Sequence, residues 1–164
     1  MPEPAAKLDP RFSEATAPTP WADAEGALAR AELYWITTVR ADGRPHVTPL
    51  IGLFDGAFHF TTGLREQKAR NLEANRNVAV TTGTNAWAKG LDVVLEGEAA
   101  RVSDRAELQR IADAYVEKYG EVWRFEVGDG VFGEGETAAA LFRVVPAKVL
   151  AFGKDPHGQT TYRF

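Results

Sequence analysis

Residues 34–62 read YWITTVRADGRPHVTPLIGLFDGAFHFTT, and the fold turns on how this stretch is parsed. Three β-favouring runs, 34–39, 46–54 and 57–62, are separated by Asp42-Gly43 and Asp55-Gly56. Tight hairpin turns need positive φ, which glycine adopts without a steric penalty, so an Asp-Gly pair between two such runs is a strong local hairpin signal. Two in succession predict a three-stranded antiparallel meander.

Downstream, residues 65–74 predict a short basic and polar helix, 78–82 a strand and 92–102 a longer strand. Asp104 with Glu107 three positions later has the form of a capping box. Leu108, Ile111, Ala112, Tyr115, Val116 and Tyr119 then recur at helical spacing up to Gly120. The glycine-rich segment 121–136 predicts a loop. Residues 139–145 and 147–152 predict two strands broken by Pro146, and 157–164 an extended tail. Upstream, Thr19 followed by Pro20 predicts a helix start. Trp21, Ala24, Leu28 and Ala31 share one face of a helix over 20–31. Residues 1–18, rich in proline, alanine and charge without an apolar period, predict a mobile arm, free to wrap a partner subunit. The domain is then 19–164.

Hairpin-linked strands with helices as insertions predict a mainly β fold, a six- to seven-stranded antiparallel Greek-key barrel, closed or nearly so. A chain of 164 residues with 45% hydrophobic and 26% charged residues is sized for one core without staples. No cysteine is present, which removes disulfides, thiolate nucleophiles and cysteine zinc sites. The start of the chain lacks a basic n-region and apolar run, no apolar stretch spans a bilayer, and a cytoplasmic location is expected. A net charge of -4 argues against nucleic acid. His46, His59 and His157 show no metal-ligand spacing, and serine-elbow, Rossmann and phosphate-loop motifs are missing.

Two stretches carry chemistry. In residues 61–72, TTGLREQKARNL, a strand ends in two hydroxyls, a glycine permits a turn, and a helix opens with Arg65, Lys68 and Arg70. Free N–H groups at a helix start, threonine hydroxyls and an ammonium make an anion site, although a solvated basic helix has the same composition. In residues 44–49, RPHVTP, alternation sends His46 and Thr48 to one face with Leu50, and Val47 and Pro49 to the other. That polar line can meet the edge of a flat ligand or can simply mark an exposed edge strand, since proline cannot donate to a ladder.

The order of residues 38–49 (TVRADGRPHVTP), 60–63 (FTTG), 68–72 (KARNL) and 90–97 (GLDVVLEG), with the endings 152–154 (FGK) and 159–164 (QTTYRF), resembles the pyridoxamine 5'-phosphate oxidase-like superfamily. The resemblance runs from about Pro20 to Phe164. It implies an FMN-binding split barrel, a homodimer with the cofactor at the subunit interface, and an FMN-binding oxidoreductase acting on a small molecule. A deazaflavin-dependent reductase using 8-hydroxy-5-deazaflavin, its acidic tail met by Arg65 and Arg70, and a non-catalytic flavin-binding or storage module are the alternatives. An empty barrel used only for interaction is a further one. By the same resemblance, Lys68 binds the cofactor phosphate with Gln67, Thr61 and Thr62 nearby. His46, Val47, Thr48 and Pro49 pass along the ring. Asn71, Trp87, Asp92 and Gln159 complete the set, and His46 is the candidate proton donor. Where related proteins carry an arginine and a tryptophan near the end, this chain has Thr161 and Tyr162.

Overall fold

A computed structural model describes residues 4–164. Among the described residues nine strands and three α-helices succeed one another: β1 (Ala5–Leu8), α1 (Trp21–Arg30), β2 (Tyr34–Val39), β3 (Pro45–Leu50), β4 (Leu53–Phe54), β5 (Phe58–Gly63), α2 (Gln67–Ala74), β6 (Asn77–Thr82), β7 (Gly90–Val102), α3 (Arg105–Tyr119), β8 (Ala139–Lys154) and β9 (Gly158–Arg163). All pairings are antiparallel, in the order β1-β9-β8-β7-β6-β2-β3, with β5 also on β8 and β4 on β5. The sheet is open, with β3 at one edge, so the mainly β split-barrel expectation holds while full closure and the count of six to seven strands do not.

Both Asp-Gly turns form. Gly43 has φ 84° and Gly56 φ 95°, and Asp42 braces the first by accepting from the Arg44 backbone at 3.1 Å. The expected meander nevertheless divides between β3 and β4, because the second hairpin joins the short β4 to β5, which pairs with β8 and not with β3. The chain crosses at Gly52. A Cβ there would stand 2.4 Å from the Phe58 ring, and the Lys118 ammonium donates to the Gly52 carbonyl at 3.1 Å. The end of α3 therefore clamps the crossing.

Helix α3 starts on its predicted cap, with Asp104 accepting from the Glu107 N–H at 2.9 Å, and ends at Gly120 with φ 87°. The Glu107 side chain reaches Arg110 rather than back to the cap, so only half of a capping box is made. In α1, Pro20 rather than Thr19 is the capping residue, and no side chain caps the helix.

Pro146 does not break its strand. Residues 139–144 of β8 pair with β5 and residues 148–153 with β9, so residues 145–147 have no partner on that side. The missing proline N–H is not needed there. On the other side the register with β7 slips between Glu96 and Gly97, a bulge that lets one 16-residue strand serve two neighbours.

The segment expected to be a mobile arm joins the sheet from Ala5 onward. Ala5–Leu8 pairs with β9, Asp9 donates its N–H to the Gln159 carbonyl at 2.8 Å, and Thr19 donates its N–H to the Thr160 hydroxyl at 2.9 Å. Its partner, the tail, is far away in sequence and invisible to a local reading. Residues 1–3 of that arm lie outside the described residues.

Phe58, Phe60, Val80, Leu95, Val149 and Tyr162 build the barrel core, and Leu108, Ile111, Tyr115, Phe132 and Leu141 build a second cluster under α3. His59 faces the second cluster with 1% exposure and no hydrogen-bond partner on either ring nitrogen. Asp55 Oδ1 lies 3.4 Å from Nδ1 and Glu107 Oε1 3.8 Å from Nε2, while Arg110 binds both carboxylates at 2.7 Å. Burial pushes the imidazole below its ordinary value. Asp55 and Glu107 act against that shift, and Arg110 and Arg143 with it.

Two outcomes follow from this packing. A Cβ on Gly97 would sit 2.5 Å from the Val145 carbonyl, a backbone atom that cannot yield. Gly97→Ala is therefore expected to cost about 1–3 kcal/mol in urea denaturation. For His59, the unfolded imidazole takes up a proton near pH 6.5 while the folded one resists it. Its contribution to stability is present above that pH and is lost as pH falls through the lowered folded value. His59→Phe should flatten the stability profile below about pH 6.5, the free imidazole value, and an unaltered profile would clear His59 of that role.

Candidate functional site

The sequence-predicted residues fall into two groups at opposite ends of the sheet. The first lies between α2 and the edge strand β3. On β3 the alternation is as expected, with His46 and Thr48 turned inward and Val47 and Pro49 exposed on the outer side. Thr48 Oγ1 is buried without a hydrogen-bond partner. His46 Nδ1 lies 3.5 Å from the Thr38 hydroxyl on the neighbouring strand. Thr38 also accepts from Asn71 Nδ2 at 2.8 Å, and Asn71 Oδ1 accepts from Gln67 Nε2 at 2.8 Å. Burial pushes the His46 imidazole down, and the Arg40 and Lys68 charges push it further in the same direction.

Lys68 is 8% exposed, in the first turn of α2. Its ammonium is bound by the Glu66 carboxylate, which also accepts from the Gly63 N–H at 2.9 Å. Burial alone would raise the Glu66 carboxyl, but Lys68 and the Gly63 N–H outweigh it and hold it below the usual range. The anion site expected at this turn thus already contains an anionic side chain. Sequence reading passed over Glu66, although a glutamate three residues after a turn-forming glycine is placed to bond back to that turn.

The two hydroxyls at the end of β5 part company. Thr62 is buried on the face of Phe60, where its hydroxyl donates to the Gly63 carbonyl at 3.3 Å. Thr61, one position away, points to the opposite face, with His59. Only Thr62 belongs to the Lys68 group.

The second group, Trp87, Asp92 and Gln159, borders an open cavity of about 650 Å³ also lined by Phe12, Phe152 and His157. Asp92 binds the Lys154 ammonium at 2.6 Å and accepts from the Thr84 N–H at 3.1 Å. Lys154 also donates to the Ala86 carbonyl. Trp87 is 82% exposed, with its ring 5.2 Å from that of His157. Gln159 has its backbone tied to the N-terminal segment through the Asp9 N–H and the Ser13 hydroxyl. Thr38 and Lys154 were not among the predicted residues. Thr38 is hidden in an ordinary β run, and Lys154 declares itself only through its pairing with Asp92.

The fold that carries these residues is shared with known proteins. The profile of the family described as pyridoxamine 5'-phosphate oxidase matches residues 21–152. The chain belongs to that family. Among solved structures, the conserved hypothetical protein Rv2991 from Mycobacterium tuberculosis is 18% identical, with 90% of this chain and 89% of that one aligned at a TM-score of 0.67. A pyridoxamine 5'-phosphate oxidase-related, FMN-binding protein from Nostoc punctiforme is 16% identical over 87% and 85% of the two chains at 0.58. HutZ, the heme storage protein of Vibrio cholerae, is 22% identical over 76% and 87% at 0.60. At these identities the likeness is one of fold. No curated protein matches in sequence. Among the described residues no helix is long and apolar enough to cross a membrane, and no three metal-ligating side chains gather.

Proposed function

We propose that this member of the pyridoxamine 5'-phosphate oxidase-like family is an FMN-binding oxidoreductase that acts on a small molecule as a homodimer. The observation that carries the reading is the buried, charged Lys68 set between the Thr62 hydroxyl and the free N–H groups of the first turn of α2. The orphaned Thr48 Oγ1 on the neighbouring edge strand gives a ligand a polar atom to satisfy. These residues fit a phosphate-bearing heteroaromatic group, provided that the phosphate takes the place of the Glu66 carboxylate on Lys68.

Bound there, FMN supplies electron-pair transfer. Lys68, Thr62 and Gln67 hold the phosphate. The edge strand, paired on one side only, offers the outward-facing backbone N–H and C=O of Val47 to a ring edge, and Pro49, in the same outward set, keeps a further strand from adding. His46, held neutral, donates or accepts a hydrogen bond rather than contributing charge.

The two residue groups argue for two copies. Thr62 lies opposite Ala140 on β8 and Gln159 opposite Phe152, twelve residues further along the same strand. The two groups therefore sit on the two halves of β8, beside different neighbouring strands. In this reading a two-fold partner sets the Gln159 end of one copy against the Lys68 end of the other. Trp35 and Val47, outward on neighbouring strands and about half exposed, present an apolar face for it.

An 8-hydroxy-5-deazaflavin cofactor is a second reading of the same site. Arg65, expected to meet its acidic tail, is bound to Glu136 at 2.9 Å and exposed, and Arg70 is exposed as well. A storage module for flavin, or for heme as the name of HutZ suggests for that protein, uses the fold without turnover. The cavity with His157 on its wall is where a heme would be sought.

The absorption spectrum of the purified protein, with mass spectrometry of the released group, separates flavin, deazaflavin and heme. FMN is expected, and a protein that neither carries nor binds FMN overturns the reading. Lys68→Ala should weaken FMN binding by about one to two powers of ten, the loss of one charge-assisted contact. Glu66→Gln, which keeps an acceptor for the Gly63 N–H but removes the competing charge, should tighten it. Light scattering should report a dimer, and a monomer with cofactor fully bound would exclude an interface-sited cofactor.

A further inference from the structure

Four polar side chains run in single file from α2 to the edge strand. Gln67 Nε2 donates to Asn71 Oδ1 at 2.8 Å, Asn71 Nδ2 donates to Thr38 Oγ1 at 2.8 Å, and Thr38 Oγ1 stands 3.5 Å from His46 Nδ1. Asn71 is 3% exposed and Thr38 wholly buried, so water does not compete for the middle of the file. A hydroxyl has one proton to give. The Thr38 oxygen has two lone pairs and receives the Asn71 N–H on one; accepting from the ring on the other would leave the buried hydroxyl proton without an acceptor, whereas donation to His46 Nδ1 places it. An imidazole nitrogen that accepts carries no hydrogen, so the single proton of the neutral ring resides on Nε2.

We propose that Thr38 and Asn71 are positioning residues that hold His46 as its Nε2–H tautomer, so that it presents a hydrogen-bond donor, not a base, to an acceptor atom of the ligand bound between α2 and β3. The ligand's identity rests on the flavin reading above, whereas the tautomer is a property of the protein alone. Arg40 and Lys68 oppose a second proton on the ring, and burial acts in the same direction. The direction of the file decides its chemistry. Were both amides turned over, Thr38 would donate to Asn71, His46 would donate from Nδ1, and Nε2 would face the ligand as an acceptor. The two orders therefore select ligands with opposite atoms at that point.

Imidazole 15N NMR on the full chain without added ligand reads the tautomer directly, with the His46 signals identified by their loss in His46→Gln. Above neutral pH, Nε2 should be the protonated nitrogen. Thr38→Val should release the ring to a mixture of tautomers, Thr38→Ser should keep the wild-type signature, and Asn71→Asp, which can only accept when ionised, should reverse it. Unchanged His59 and His157 signals show that a variant has kept its fold. A wild-type ring protonated at Nδ1, or a Thr38→Val ring with an unaltered tautomer, overturns the proposal. FMN titration separates it from the functional reading, since Thr38→Val should weaken binding about two- to tenfold, the worth of one neutral hydrogen bond. An Nε2–H ring in a protein that binds no FMN leaves the positioning file standing and removes the flavin, and tight FMN binding to a wild-type protein protonated at Nδ1 does the reverse.

Discussion

The β7–β8 ladder is the constraint on which everything else hangs. It runs from Gly90 opposite Lys154 to Val102 opposite Leu141, interrupted by one bulge, and β8 then carries β5 on its first half and β9 on its second. Through β5 it places Thr62 and, one turn on, α2 with Lys68 and Asn71. Through β9 it places Gln159 and the N-terminal strand. The two candidate groups therefore sit on the two halves of one long strand. A bulge that leaves Ala147 unpaired beside Pro146, in the stretch where neither β5 nor β9 is present, is what lets the strand stay continuous while changing partners.

How much of this was legible in the sequence depended on range. Turns and caps are decided within a few residues, so Asp42-Gly43, Asp55-Gly56, Asp104 and Gly120 were read correctly, and so was the inward line of His46 and Thr48. Strand partners are decided across the whole chain. Nothing between residues 46 and 62 says that β5 abandons β3 for β8. Nothing in residues 5–8 announces a partner in residues 160–163. Pro146 was read as a break because a proline within a ladder usually is one. Only knowing that β8 lacks a neighbour there reverses the inference.

The candidate site shows the same limit at the level of charge. Composition marked Lys68 as a cation near a turn, and the helix period could place it in the first turn. It could not show that Glu66 folds back on the ammonium or that Thr61 and Thr62 face opposite sides at the strand end. Thr38 lay within the stretch that carries the family resemblance but had no role of its own to read, since a threonine in a β run is ordinary until a buried asparagine is found donating to it.

The Glu66–Lys68 pair is asymmetric, and the asymmetry matters for any anion that binds there. The Lys68 side chain is 9% exposed and that of Glu66 53%. Removing a partner from a buried charge costs far more than returning a half-exposed one to water, so Lys68 cannot stand without a counter-ion while Glu66 can stand in solvent. Exchange of the carboxylate for a phosphate keeps the buried ammonium paired throughout and releases the more hydrated partner. The net cost of opening the site is then governed by the surface-exposed half of the pair, which is the cheaper half. Glu66 thus pairs a buried lysine and braces the Gly63 turn while being itself the exposed half of the pair.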